Sequence, residues 1–172
     1  MDKPVYLLGF MGVGKTSLGK KLANKLNIPF VDTDQLLEDQ FKMTISDYFK
    51  IHGEEAFRAA EREVLKTVSI KKAIIATGGG LPCFYDNMDV MNSTGITVFL
   101  DRPAKELQQR LSQAKSKRPL IADKDDVAML EYIENELKSR LPFYQRAKFI
   151  VERDNQTANY IADSLVKPNK LL

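Results

Sequence analysis

Gly9-Phe10-Met11-Gly12-Val13-Gly14-Lys15-Thr16 fits GxxxxGK[ST], and the residues flanking it decide the fold. The apolar run Val5-Tyr6-Leu7-Leu8 precedes it and reads as a buried parallel strand. Leu18, Leu22 and Leu26 follow at a spacing of four, the repeat of a helix that buries one stripe. Strand, glycine loop and helix in that order aim a helix N-terminus and a nest of backbone N–H groups at phosphate. The pattern assigns Gly12, Val13, Gly14, Lys15, Thr16 and Ser17 to a nucleoside triphosphate. Lys15 reaches the terminal phosphates, and the Thr16 hydroxyl ligates magnesium. The simpler alternative is a glycine turn with a stray lysine. A cation in the first helical turn, however, opposes the helix dipole by typically ~0.3–1 kcal/mol, and a bound polyphosphate reverses that sign.

Outward from this loop, strands alternate with helices, the pattern of a parallel sheet covered on both faces. Strands are predicted at 28–31, 73–77, 96–100 and about 148–152, with Pro29 tolerated only at the entry of the second strand. Helices are predicted at about 35–41, 46–50, 54–69, 104–112, 126–139, 141–147 and 157–166, with a polar, turn-rich stretch at 113–126. The fold class is α/β: three layers, a five-stranded parallel sheet and helices on both faces, in a single domain spanning 1–172.

Composition narrows the function. With 172 residues, 44% hydrophobic and 28% charged, the chain has the make-up of one ordinary globule. A net charge of +3 without any block of like charge argues against a nucleic-acid partner. The single cysteine, Cys83, suits a reducing compartment and reads as a small buried filler. The start Met1-Asp2-Lys3-Pro4 leads directly into the first strand without a signal-peptide pattern, and no apolar stretch approaches ~20 residues. A cytoplasmic protein without a membrane partner is expected.

In open α/β sheets, ligands sit beyond the carboxyl ends of the strands. The first predicted strand ends in the phosphate loop, the second at Asp32-Thr33-Asp34 and the third at Gly78-Gly79-Gly80. Three unusual clusters thus share one sheet edge. Asp34 has a plain role available, capping a helix that begins at Gln35. Alternatively, one carboxylate steadies magnesium while the other accepts a proton from an attacking hydroxyl. Three adjacent glycines give up ~0.5–1 kcal/mol each relative to alanine, which suggests a ligand lying against bare backbone. Arg58 by itself reads as a surface residue paired with Glu54 or Glu61 at helical spacing. His52, the one histidine, receives no chemistry.

Taken together, GFMGVGKT, Asp32-Thr33-Asp34, Gly53-Glu54 with Phe57-Arg58 and Glu61, Gly78–Gly80 and Arg118-Pro119-Leu120 resemble the shikimate kinase family. Arg140-Leu141-Pro142-Phe143-Tyr144 with Ala147 is similar to the family's other arginine motif, so the resemblance runs from the first strand to about Ala147. It implies a P-loop kinase fold of the nucleoside-monophosphate-kinase type and transfer of the γ-phosphoryl of ATP to the 3-hydroxyl of shikimate. It further implies that Lys15 and Thr16 serve phosphates and Mg2+, with Asp32 near the metal and Asp34 holding shikimate hydroxyls and acting as base. Arg58 and Arg140 grip the shikimate carboxylate beside the Gly78–Gly80 backbone, and Arg118 rides on a lid formed by 113–126. Arg110 and the segment Arg153-Asp154-Asn155 match adenine-contacting positions, with Gln156 as the alternative to Arg153. The implied partners are ATP and shikimate, acting on a monomer.

Other readings stay open here. A gluconate-type or nucleotide kinase belongs to the same class, and fold analogy alone does not separate them. A nucleotide-dependent switch of the GTPase kind would carry Asn-Lys-x-Asp, which Asn169-Lys170-Leu171-Leu172 fails at its fourth position.

Overall fold

The first strand, β1 (Val5–Leu8), is completely buried and lies at the centre of the sheet. The computed structural model describes residues 2–70, 72–113 and 124–166. After β1 come α1 (Lys15–Leu26), β2 (Phe30–Asp32), α2 (Thr33–Phe41), α3 (Ile45–Val68) and β3 (Ile74–Ala76). Then follow α4 (Asn87–Thr94), β4 (Ile96–Asp101), α5 (Ala104–Ser112), α6 (Asp126–Tyr144), β5 (Phe149–Glu152) and α7 (Ala158–Val166). The strand order is β2-β3-β1-β4-β5, and every pairing is parallel.

Alternation along the strands builds two cores. Val5 and Leu7 of β1, with Val98 and Leu100 of β4, face Leu18, Leu22, Leu107, Met129 and Ile161. Tyr6, Leu8 and Phe99 point the other way, into Leu37, Phe57, Leu65, Met88, Met91 and Tyr144. The predicted three layers and five parallel strands are therefore present.

Several boundaries differ from expectation, each for a local reason. The second strand begins at Phe30 rather than at 28 and runs on to Asp32. The next helix starts at Thr33 because Asp32, not Asp34, caps it, accepting the backbone N–H of Asp34 at 3.1 Å and of Gln35 at 3.5 Å. The two predicted helices at 46–50 and 54–69 are both present, joined at a kink within α3. Gly53 breaks it at φ 81° and ψ 174°, a conformation that only glycine takes readily. The predicted helices at 126–139 and 141–147 merge into α6, which accommodates Pro142 two residues before its end. Helix α4 was not predicted. Its Asn, Asp, Ser and Thr content hides it, and it is held instead by buried Met88 and Met91 and by Asn87 Nδ2 donating to Leu81 O at 2.9 Å.

Candidate active site

The phosphate loop leaves β1 through Gly9, Gly12 and Gly14, all with positive φ, and Gly14 is the N-cap of α1 at φ 106°. Among the described residues no side chain caps this helix, and no acidic residue lies in its first turn, so its terminal N–H groups face the loop's hollow. Lys15 folds back over the loop, with Nζ donating to Gly9 O at 2.7 Å and to Phe10 O at 3.0 Å. The Thr16 hydroxyl donates to Asp32 Oδ2 at 2.8 Å. One residue of the aspartate pair thus caps α2 with one oxygen and meets Thr16 with the other.

The second and third clusters converge as the shared sheet edge predicts. A Cβ placed on Gly78 would stand 2.5 Å from Asp34 Oδ1 and 2.9 Å from Glu61 Oε1. On Gly79 it would meet Arg140 Nη1 at 3.3 Å, and on Gly80 it would meet Arg58 Nη1 at 2.7 Å. The three glycines are bare because two carboxylates and two guanidinium groups pack against them. Arg58 is further held by Nη1 donating to Glu61 Oε2 at 2.6 Å and by Nε and Nη2 donating to Glu54 Oε1 at 3.1 and 2.9 Å. The Phe84 ring lies 4.0 Å from its Cζ. Arg140 donates to Glu136 and sits 5.3 Å from the Phe10 ring, while the Tyr144 hydroxyl donates to Gly79 O at 2.6 Å.

Electrostatics separate these acids. Burial, followed by the neighbouring Asp32 charge, pushes the Asp34 carboxyl up to about 6, with Lys15 and Arg58 pulling the other way. Burial pushes Glu61 up to about 7 against the opposing pull of Arg58. Burial also raises the Cys83 thiol to about 11, so it behaves as the packing residue expected of it.

On the other side of the phosphate loop, a cleft of ≈ 230 Å³ is lined by Ser17, Lys21, Arg102, Arg110 and Gln156, among others. Arg110 reaches toward the loop, its Nη2 lying 3.2 Å from where a Gly14 Cβ would be. Arg153 departs from expectation. Its side chain turns to Glu106 and Asp154, and it does not line the cleft, whereas Gln156 does. The Gln156 amide is committed: Nε2 donates to Asp101 O and Val151 O, and Oε1 accepts from Arg102 Nε at 2.8 Å.

The shikimate kinase family profile matches residues 11–169. The chain belongs to the shikimate kinase family. The shikimate kinase of Bacteroides thetaiotaomicron is 43% identical over 164 residues, covering 95% of this chain and 94% of that one. A crystal structure of shikimate kinase from the same species superposes with a TM-score of 0.89 at 40% identity and 98% coverage of both chains. That of Acinetobacter baumannii in complex with shikimate superposes at 0.85 and 33% identity, covering 99% of this chain and 96% of the other. As a shikimate kinase this chain is a P-loop phosphotransferase that uses ATP.

Within this frame the structure unites Lys15, Thr16, Asp32 and Asp34 with Arg58, Arg140 and Gly78–Gly80. Arg118 and most of the 113–126 segment lie outside the described residues. Arg102, Glu61 and Phe84 were missed as site residues. Arg102 follows the carboxyl end of β4, so the strand-end rule applied to a fourth strand finds it. Glu61 carried a signal in its spacing of three from Arg58. Phe84 carried none.

Proposed function

We propose that the chain transfers the γ-phosphoryl group of ATP to the 3-hydroxyl of shikimate, with the acceptor lying across Gly78–Gly80. The observation that carries this is the convergence of Asp34, Arg58 and Arg140 on three glycines that leave no side chain of their own in the way. Two arginines suit a carboxylate, because a guanidinium fork matches its geometry. Asp34, at about 6, is ionised at neutral pH and still basic enough to accept the hydroxyl proton as the oxygen attacks the γ-phosphorus. ADP then leaves with the bond to its former γ-phosphoryl broken. Lys15 neutralises the phosphates from the loop side, and we assign Arg118 to the same charge neutralisation.

Thr16 Oγ1 and Asp32 Oδ2, 2.8 Å apart at the mouth of the phosphate loop, are hard oxygen donors of the kind magnesium takes. These two residues would hold the ion, which supplies charge neutralisation for the phosphates. In the base cleft we assign Arg110 together with Gln156 and Arg102, rather than the Arg153 side chain. The working unit is a cytoplasmic monomer. ATP consumption measured in parallel with shikimate, gluconate and nucleoside monophosphates tests the assignment: turnover is expected with shikimate alone, and preferential turnover of either other class would overturn it.

A further inference from the structure

We infer that Glu54 and Glu136 are the chain's own stand-ins for the substrate carboxylate, occupying Arg58 and Arg140 until an anionic acceptor displaces them. The inference rests on the reading that these two arginines receive the carboxylate of shikimate.

The two pairs are built alike. Each glutamate precedes its arginine by one helical turn, Glu54 on α3 and Glu136 on α6. In each pair the arginine is the sheltered partner: side-chain exposure is 11% for Arg58 against 58% for Glu54, and 15% for Arg140 against 33% for Glu136. Both arginines reach the glycine run, one at Gly80 and the other at Gly79. The carboxylates therefore approach the guanidinium groups from the solvent side.

The contacts of Arg58 divide into two kinds. Glu61 is buried and takes Nη1 at 2.6 Å, and Phe84 stacks at 4.0 Å. Glu54 engages Nε and Nη2 through a single oxygen, leaving its other oxygen out of the pair. Breaking a buried ion pair is costly, whereas an exposed one contributes little. Glu61 thus stays as the anchor, and Glu54 is the partner that yields. At Arg140 the Phe10 ring and the Tyr144 hydroxyl form the fixed side, and Glu136 is the yielding partner.

Exchanging one carboxylate for another keeps a sheltered guanidinium satisfied at every stage. An acidic acceptor can make that exchange, and a neutral one leaves the glutamates in place. The stand-ins therefore moderate affinity for the acid while keeping both arginines positioned for it.

The test measures KM for ATP, for shikimate and for its neutral carboxamide in Glu54→Gln, Glu136→Gln and Arg58→Lys, with thermal melting to confirm folding. Glutamine keeps the side-chain shape and removes the charge. The shikimate KM should fall roughly threefold in each glutamine variant, the scale of an exposed one-turn ion pair. The ATP and carboxamide constants should hold, so discrimination between acid and amide widens. A residue that merely braces the helix would instead raise both acceptor constants together, or move neither, and either result overturns the inference. An unchanged shikimate KM in Arg58→Lys would remove the carboxylate-grip reading itself. A raised one, with no tightening in the glutamine variants, would defeat the stand-in role alone.

Discussion

Replacing Gly78 by alanine tests the acceptor site at the point where two carboxylates meet bare backbone. Its backbone φ is not positive, so alanine fits the local conformation. The difficulty is steric: the new methyl would stand 2.5 Å from Asp34 Oδ1 and 2.9 Å from Glu61 Oε1, where ordinary contact begins at 3.4 Å. Glu61 is buried and bonded to Arg58 at 2.6 Å, so it is the harder of the two to move. Asp34 has no capping duty, since Asp32 performs it, and so Asp34 retreats. The shift needed is about 1 Å, and a misplacement of that size costs on the order of 10²-fold in rate. We expect kcat with shikimate to fall by about that factor, the ATP KM to hold, and stability to drop by about 1–3 kcal/mol from overpacking. Steady-state ADP release and thermal melting measure the two effects. A Gly78→Ala enzyme with wild-type kcat would refute the reasoning.

The remaining expectations concern charge. With Asp34 at about 6, kcat/KM for shikimate should decline as pH falls through 6 and the base protonates; an acid limb confined to the ordinary carboxylate range near ~4 would exclude Asp34 as base. Asp34→Asn should lower kcat by ~10²–10⁴-fold while melting no lower than wild type at pH 8. The sign follows from a folded pKa raised above the unfolded one: the ionised carboxyl costs stability above pH 6, and that cost fades as pH falls from about 6 toward ~4. The melting difference between the two proteins should therefore shrink across that window. Lys15→Met should abolish most turnover and also loosen the phosphate loop, because Nζ bridges Gly9 O and Phe10 O; near-normal activity would remove Lys15 from the phosphates. Thr16→Val should raise the magnesium concentration needed for half-maximal rate, and an unchanged titration would release Thr16 from the metal.

How far the sequence could be read depended on whether a signal was local. The phosphate loop was legible because strand, glycines and helix are contiguous, and the strand alternation already contained the two-faced sheet. Helix α4 was hidden because its residues have weak helical preference, and only the burial of Met88 and Met91 makes it helical. The kink in α3 was legible as a gap between two helices because Gly53, at φ 81°, interrupts the helical pattern there. Arg153 and Gln156 could not be separated by spacing. What separates them is that Glu106 draws Arg153 aside while two backbone carbonyls and Arg102 fix the Gln156 amide in the cleft wall.

The aspartate pair shows why the site needed the fold to be read correctly. Two carboxylates two residues apart leave open which one caps the helix, and capping by Asp34 would have put the helix start at Gln35. With Asp32 as cap, the helix begins at Thr33, and Asp34 falls in the first turn with its side chain freed from backbone duty. That carboxylate then comes to lie against Gly78, whose missing Cβ is what admits it. The Thr33 hydroxyl, one residue earlier, accepts the Gly78 N–H at 2.8 Å and fixes the glycine run against the start of α2. The aspartate pair and the glycine run, separate motifs in the sequence, are therefore one physical feature: the cap sets the turn, the turn aims the base, and the glycine makes room for it.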